Sequence, residues 1–141
     1  MGALDVIRVV LDTNVLVSGL LFGGSPGKLL DLWKTGAIRL MMSRLMLDEF
    51  LKVLAYPKFR LSEEEIHYLL YVEVLPHLEM VEVHPGPVLI PTDPSDDMFL
   101  HCAVAAGAKY IISGDRHLIQ LISYKRIKIL SPAEFLYSVI F

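Results

Sequence analysis

Short apolar runs and amphipathic stretches alternate along this chain. VIRVVL, residues 6–11, is rich in β-branched residues and stops at Asp12-Thr13-Asn14, which predicts a buried strand ending in a polar turn. A short helix over 15–21 follows, then the loop Phe22-Gly23-Gly24-Ser25-Pro26-Gly27, with Ser25 as the expected N-cap and Pro26 at the first helical position. That next helix covers roughly residues 27–34 and closes at Thr35-Gly36. Residues 38–42 read as a second strand, and Ser43 caps a helix over 44–55. Within it Leu47, Phe50, Leu51 and Leu54 recur at helical spacing, leaving Asp48 and Glu49 towards the polar side, and Tyr56-Pro57 ends it.

Ser62 followed by Glu65 has the form of a capping box and opens an amphipathic helix through Ile66, Leu69, Leu70 and Val74, which Pro76 stops. Residues 79–83 alternate polar and apolar, as an edge strand would, and 84–91, with three prolines, predicts a loop. Asp93 or Ser95 can cap a helix from Pro94 to about residue 106, whose small residues Ala103, Ala105, Ala106 and Ala108 suit close packing on a sheet, with Gly107 as its stop. A strand over 110–113, a short helix over 115–121, a last strand over 127–130 and a final helix capped by Ser131-Pro132 complete the chain. There is no internal repeat, low-complexity segment or linker, so one α/β domain over 1–141 is expected, with a mostly parallel sheet, right-handed crossovers and helices on both faces. Ligands in such folds bind beyond the C-terminal ends of the strands, where the strand order reverses.

Composition narrows this picture. The hydrophobic fraction of 54% is high, but no window approaches the roughly 18 apolar residues of a membrane span, so strands covered on both faces and a subunit interface explain it better than a bilayer. The N-terminal stretch lacks a signal-peptide pattern, which leads us to expect a cytoplasmic protein. The single cysteine, Cys102, excludes an internal disulfide and a cysteine-based zinc site, so any metal would be held by oxygen. A net charge of −3 argues against coating nucleic acid through bulk positive charge, yet a cation-filled acidic pocket reverses the local sign.

Four acids fall at related places. Asp12 lies just past the first strand, Glu49 in the helix after the second, Asp96 in the first turn of a helix, and Asp115 just past the strand over 110–113. If the first and fourth strands are neighbours, those ends converge. Carboxylates so gathered repel one another and resist ionisation unless a cation joins them, and oxygen-only ligands suit Mg²⁺ or Mn²⁺. One such ion, or two roughly 4 Å apart, can activate a water and stabilise the leaving oxygen of a phosphodiester.

The segments LDTNVLVSGLL, SRLMLDEFLKVL and DPSDDMFLHCAVAAGAKYIISGD with the following RHLI resemble the PIN domain family, most closely its branch of toxin components of bacterial and archaeal toxin–antitoxin pairs. The resemblance runs over nearly the whole chain. It implies a three-layer α/β/α sandwich with a central, mostly parallel sheet of four to five strands, and the activity of a Mg²⁺- or Mn²⁺-dependent endoribonuclease. By the same resemblance the four family acids match Asp12, Glu49, Asp96 and Asp115, while Thr13, Asn14 and Ser113 match small polar positions that orient ligands, water or phosphate. Where the branch has two acids and an asparagine, this chain has Ser95-Asp96-Asp97, so the third ligand is Asp96 or Asp97, and Phe99 and Ala103 align to favour Asp96. Implied partners are an RNA substrate, an antitoxin protein and a second copy of the chain.

Each signal has a plainer reading. Asp12, Asp96 and Asp115 are all placed to cap helices or offset a helix dipole, and Glu49 to face solvent. Asp93 and Asp97 read as cap and surface acids, though either could reach a second metal. The histidines show no paired ligand spacing, His117 being the one nearest an acid of the set, and Cys102 reads as a small core residue. Arg116 and the group Lys125, Arg126, Lys128 could hold an RNA backbone or simply be solvated surface. A phosphatase or phosphotransfer domain also places acids at strand ends, but Asp12-Thr13-Asn14 lacks the second aspartate of that pattern. A catalytically silent PIN-like module binding protein or RNA is the remaining alternative.

Overall fold

The computed structural model describes residues 6–84 and 96–141. Among these residues six strands form one sheet in the order β3-β2-β1-β4-β6-β5. β1 (Ile7–Leu11) lies between β2 (Ile38–Met42) and β4 (Tyr110–Ile112) and is parallel to both. β3 (Leu78–Met80) extends the parallel sheet beyond β2, and β6 (Ile127–Leu130) extends it beyond β4. The expected five strands are thus present. The sixth, β5 (Ser123–Tyr124), is an antiparallel edge strand hairpinned to β6. Two residues are too few to show a period, which is why the sequence pattern does not reveal it.

Val9, Val10 and Leu11 are all buried, as are Ile111 and Ile112. Since successive side chains in a strand point to opposite faces, β1 and β4 are covered on both. The chain runs outward from β1 to β3 and then jumps back to β4. Right-handed crossovers therefore place the helices of its first half on one face and α5 (Asp97–Ala106) on the other, giving a three-layer α/β/α sandwich. α5 packs on β1, β2 and β4, while α2 (Gly24–Thr35) packs on β2 and touches α7 (Pro132–Phe135), which lies on β6. Trp33, Phe50 and Phe135 are the largest side chains fully buried in the single core.

Local chemistry sets most boundaries. α1 (Thr13–Leu21) starts at its N-cap Asp12, and Ser43 caps α3 (Arg44–Leu54) by accepting from the Met46 N–H at 3.3 Å. Ser62 and Glu65 form the expected capping box on α4 (Glu63–Tyr68), which continues through a π-helical stretch, Leu69–Val74, and a 3₁₀ turn, Leu75–His77. Trp33 on α2 donates its ring N–H to the Glu73 carbonyl at 2.9 Å, tying that stretch to the core. α6 (Arg116–Ile119) starts at Asp115, and Ser131 with Glu134 makes a second capping box on α7, which runs on as Leu136–Ile140.

One expected cap is corrected. α2 begins at Gly24 with Gly23 as N-cap, so Ser25 and Pro26 lie inside its first turn. Gly23 and Gly24 both take positive φ, 78° and 67°, a region open to glycine at little cost, so the turn is complete before Ser25 is reached. Asp93, Pro94, Ser95 and most of the expected 84–91 loop lie outside the described residues. No single helix among the described residues is long and apolar enough to cross a membrane, and α1 and α2, which together have the length, meet at 89°.

Candidate active site

The switch point falls between β1 and β4, because the connection from β1 leads outward to β2 on one side and the chain returns to β4 on the other. The Asp12 N–H donates to the Ile112 carbonyl at 3.1 Å, so the residue just past β1 is locked to the end of β4. Ser113, fully buried, donates its Oγ–H to Asp12 Oδ2 and accepts from the Asp115 N–H at 2.8 Å. One hydroxyl thus links two of the four acids. Asp12 Oδ1 accepts from the Val15 N–H at 2.8 Å, and Asp115 Oδ1 accepts from the N–H groups of His117 at 2.7 Å and Leu118 at 3.4 Å. Both aspartates therefore act as helix caps, as their plainer reading held, and both keep a place at the end of the sheet.

Asp12, Glu49, Asp96 and Asp115 line a single cavity of about 220 Å³, together with Thr13, Asn14, Val53, Tyr56, Met98 and Phe99. Glu49 arrives from the middle of α3 and Asp96 from the N-cap position of α5. Thr13 is buried and Asn14 exposed at the start of α1. Of the two adjacent acids, Asp96 lines the cavity and Asp97 does not; Asp97 is nevertheless buried rather than at the surface, with 5% of its area exposed. Glu49 is half-buried, not the fully solvated position its helix face suggests. The Lys125, Arg126 and Lys128 group does not border this cavity.

Burial pushes the Asp12 carboxyl above its ordinary value. Hydrogen bonds from Ser113, Val15 and Gly114 pull it back, and the negative charge of Asp115 pushes the same way as burial. A carboxylate held in a dry place by two or three donors, with a second acid beside it, is an environment that favours a cation over an added proton at neutral pH. In the described conformation no three acidic, histidine or cysteine groups among the described residues are close enough together to chelate an ion. The donor set itself, four carboxylates with a hydroxyl and an amide oxygen nearby and no thiolate or imidazole in the described lining, fits a hard divalent cation.

The apolar wall of the cavity was not anticipated. Val53 lies four residues after Glu49 on the same helix face, a spacing that could have identified it, whereas Tyr56 lies beyond the end of α3 and carries no periodic signal.

No curated protein matches the chain. A family model described as PIN domain matches residues 8–117, a stretch that contains all four acids and well over half of the 141 residues. PIN domains are typically metal-dependent nucleases, which supports a hydrolase in general terms. The chain belongs to the PIN domain family.

Proposed function

We propose that this chain is a metal-dependent endoribonuclease in which Asp12, Glu49, Asp96 and Asp115 hold one or two Mg²⁺ or Mn²⁺ ions. The observation that carries this reading is the meeting of four acids, from four separate segments of a PIN domain, around one cavity at the switch point of the sheet. When bound, a divalent cation offsets the negative charge that builds on the phosphate oxygens. The residues of the chain supply the rest. Ser113 and the Val15 N–H fix the orientation of the Asp12 carboxylate, and the His117 N–H fixes that of Asp115. Burial and Asp115 raise the Asp12 carboxyl in the metal-free chain, and a bound cation would offset both and keep it ionised as a ligand. Thr13 and Asn14, beside Asp12, would contact phosphate, and the wall of Val53, Tyr56, Met98 and Phe99 would exclude bulk water and take a base or sugar.

The finer parts of the proposal are that the substrate is RNA, that the protein is the toxin of a toxin–antitoxin pair acting in the cytoplasm, that an antitoxin covers the acidic cavity, and that two copies pair. Exposed Tyr68, Tyr71, Tyr137 and Phe141 offer apolar surface for such contacts. The second reading is a PIN module that binds protein or RNA without cutting. Cleavage of mixed-sequence single-stranded RNA, and of DNA of the same sequence, in Mn²⁺, Mg²⁺ or EDTA separates the two. The nuclease reading expects metal-dependent cutting of RNA that falls by about a hundredfold or more in folded Asp12→Asn and Asp115→Asn proteins. Metal binding with no cutting of either nucleic acid would favour the silent module.

A further inference from the structure

A second cavity, about 660 Å³ and so larger than the 220 Å³ one at the acids, lies elsewhere among the described residues. It opens at the other end of the sheet, under the N-terminal ends of β4 and β6 and the C-terminal end of α5. α5 has ten residues, so roughly 15 Å of helix separates Asp96 at one end from Gly107 at the other. Ala103, Val104, Gly107 and Ala108 leave the space open because their side chains are small, and Tyr110 and Ile127 wall it. Tyr110 is held edge-on against Phe135, with ring centroids 5.4 Å apart, so this wall is fixed by the core.

Charge marks the rim. Lys109, Lys125, Arg126 and Lys128 all line the cavity, and among the described residues no acid does. The chain has 13 basic residues against 16 acidic ones, so four cations on one cavity, with no acid among its described lining, is a departure from its average surface. Lys109 and Lys128 are drawn together by the sheet itself, through the Lys128 N–H on the Lys109 carbonyl at 3.0 Å. Lys125 sits in the hairpin turn with φ of 55°, a conformation strained for any residue but glycine, and is turned so that its ammonium lies 5.6 Å from the Tyr124 ring centre. The C-terminal end of α5 contributes about half a negative charge, which four full positive charges outweigh.

The geometry points to a binding site for a small amphipathic anion: a flat or branched apolar body seated against Ala103, Val104, Tyr110 and Ile127, and a carboxylate, sulfonate or phosphate head held by the basic rim. The volume falls within the roughly 300 to 1,000 Å³ of small-molecule sites, and an apolar lining with a few convergent polar groups is their usual make-up. The site is separate from the acidic cavity and does not depend on the nuclease reading.

The test uses 8-anilinonaphthalene-1-sulfonate, whose aromatic body and single sulfonate match this chemistry, titrated into the full chain and followed by its fluorescence and by amide chemical shifts. One saturable site is expected, with shifts confined to residues 103–110 and 124–128. Exchange of Lys109 and Lys128 for Glu should weaken it by on the order of tenfold or more, as loss of charge-assisted contacts does. The uncharged analogue N-phenyl-1-naphthylamine should bind weaker by a similar factor, and Val104→Trp, which fills the cavity, should remove binding; if that variant does not fold, the two surface lysine exchanges still decide. Asp12→Asn should leave binding unchanged. Shifts spread over the chain or centred on the acidic cavity, equal binding of the uncharged analogue, or displacement of the probe by single-stranded RNA at stoichiometric concentration would overturn the assignment, the last by giving the rim to nucleic acid.

Discussion

Ser113 joins the two halves of the acidic site, since its hydroxyl donates to Asp12 and accepts from the Asp115 N–H while being fully buried. Ser113→Ala takes a donor from a buried carboxylate and leaves a backbone N–H without its acceptor, each an uncompensated loss in a dry place. Urea denaturation should show about 1 to 3 kcal/mol of destabilisation. Mn²⁺ affinity, measured by calorimetry, should fall by roughly ten- to a hundredfold, as loss of a residue that orients a ligand does; unchanged affinity would remove Ser113 from the metal site.

Asp12 makes a second residue-level prediction, through pH. Its carboxyl is raised above 3.8 in the folded protein, so the native state holds that proton more tightly than the unfolded chain. Below pH 3.8 both states are protonated and Asp12 contributes no penalty. As pH rises from there through the raised native value, the unfolded state loses its proton first and the metal-free protein loses stability. Asn is as good an N-cap as Asp and carries no charge to bury. In EDTA, therefore, Asp12→Asn should be more stable than the wild type at neutral pH, and the gap should close as the pH falls towards 3.8. A gap independent of pH would mean that the buried charge is not its cause.

Among the elements, α1, which begins at Asp12, turns into α2 at 89°. Gly19 makes that corner possible. A Cβ there would stand 2.7 Å from the Pro26 carbonyl oxygen, a backbone atom that can move only by shifting α2. Ala is the better helix former by roughly 0.5 to 1 kcal/mol, but overpacking of this kind costs about 1 to 3 kcal/mol, so the clash wins. Gly19→Ala should lower the urea midpoint with little change in slope, and a stabilised variant would show that the corner is looser than its contacts indicate.

The same elements show which features the residues declare and which they hide. Val9 to Leu11 and Ile111 to Ile112 are apolar on both faces and stop at polar residues, so the two strand ends and their aspartates can be read from pattern alone. Ser43 and Ser62 declare their helices because a cap is a local hydrogen bond. The start of α2 is hidden, since Ser25-Pro26 is also a valid first turn and only the paired positive φ of Gly23 and Gly24 decides between them. Burial of Asp97 is hidden for another reason: whether an acid on a helix faces solvent depends on what packs there, and no local pattern records it. The basic cavity is hidden most fully, being assembled from a helix end, a strand start and a hairpin that are neighbours only in the sheet.

For the molecule as a whole, the sandwich brings four carboxylates to one cavity in a chain whose net charge is already −3, so the folded state concentrates like charge that the unfolded chain spreads out. The sheet fixes the Asp12 and Asp115 ends through the Asp12 N–H and Ser113, whereas Glu49 and Asp96 come from the helices α3 and α5. No three of these groups stand ready to chelate, so an ion that binds must draw their side chains together across the cavity, and the unfolded chain has no such site. Binding to the native state alone stabilises it, by about 2.7 kcal/mol at a hundred times the dissociation constant. For a chain of this length that is a rise in melting temperature of roughly 8 to 12 °C. Thermal unfolding in EDTA and in saturating Mn²⁺ should show that rise in the wild type and little of it in the Asp12→Asn, Asp115→Asn double variant. An equal rise in both proteins would place the ion elsewhere on the surface, and with it the chemistry assigned to the four acids.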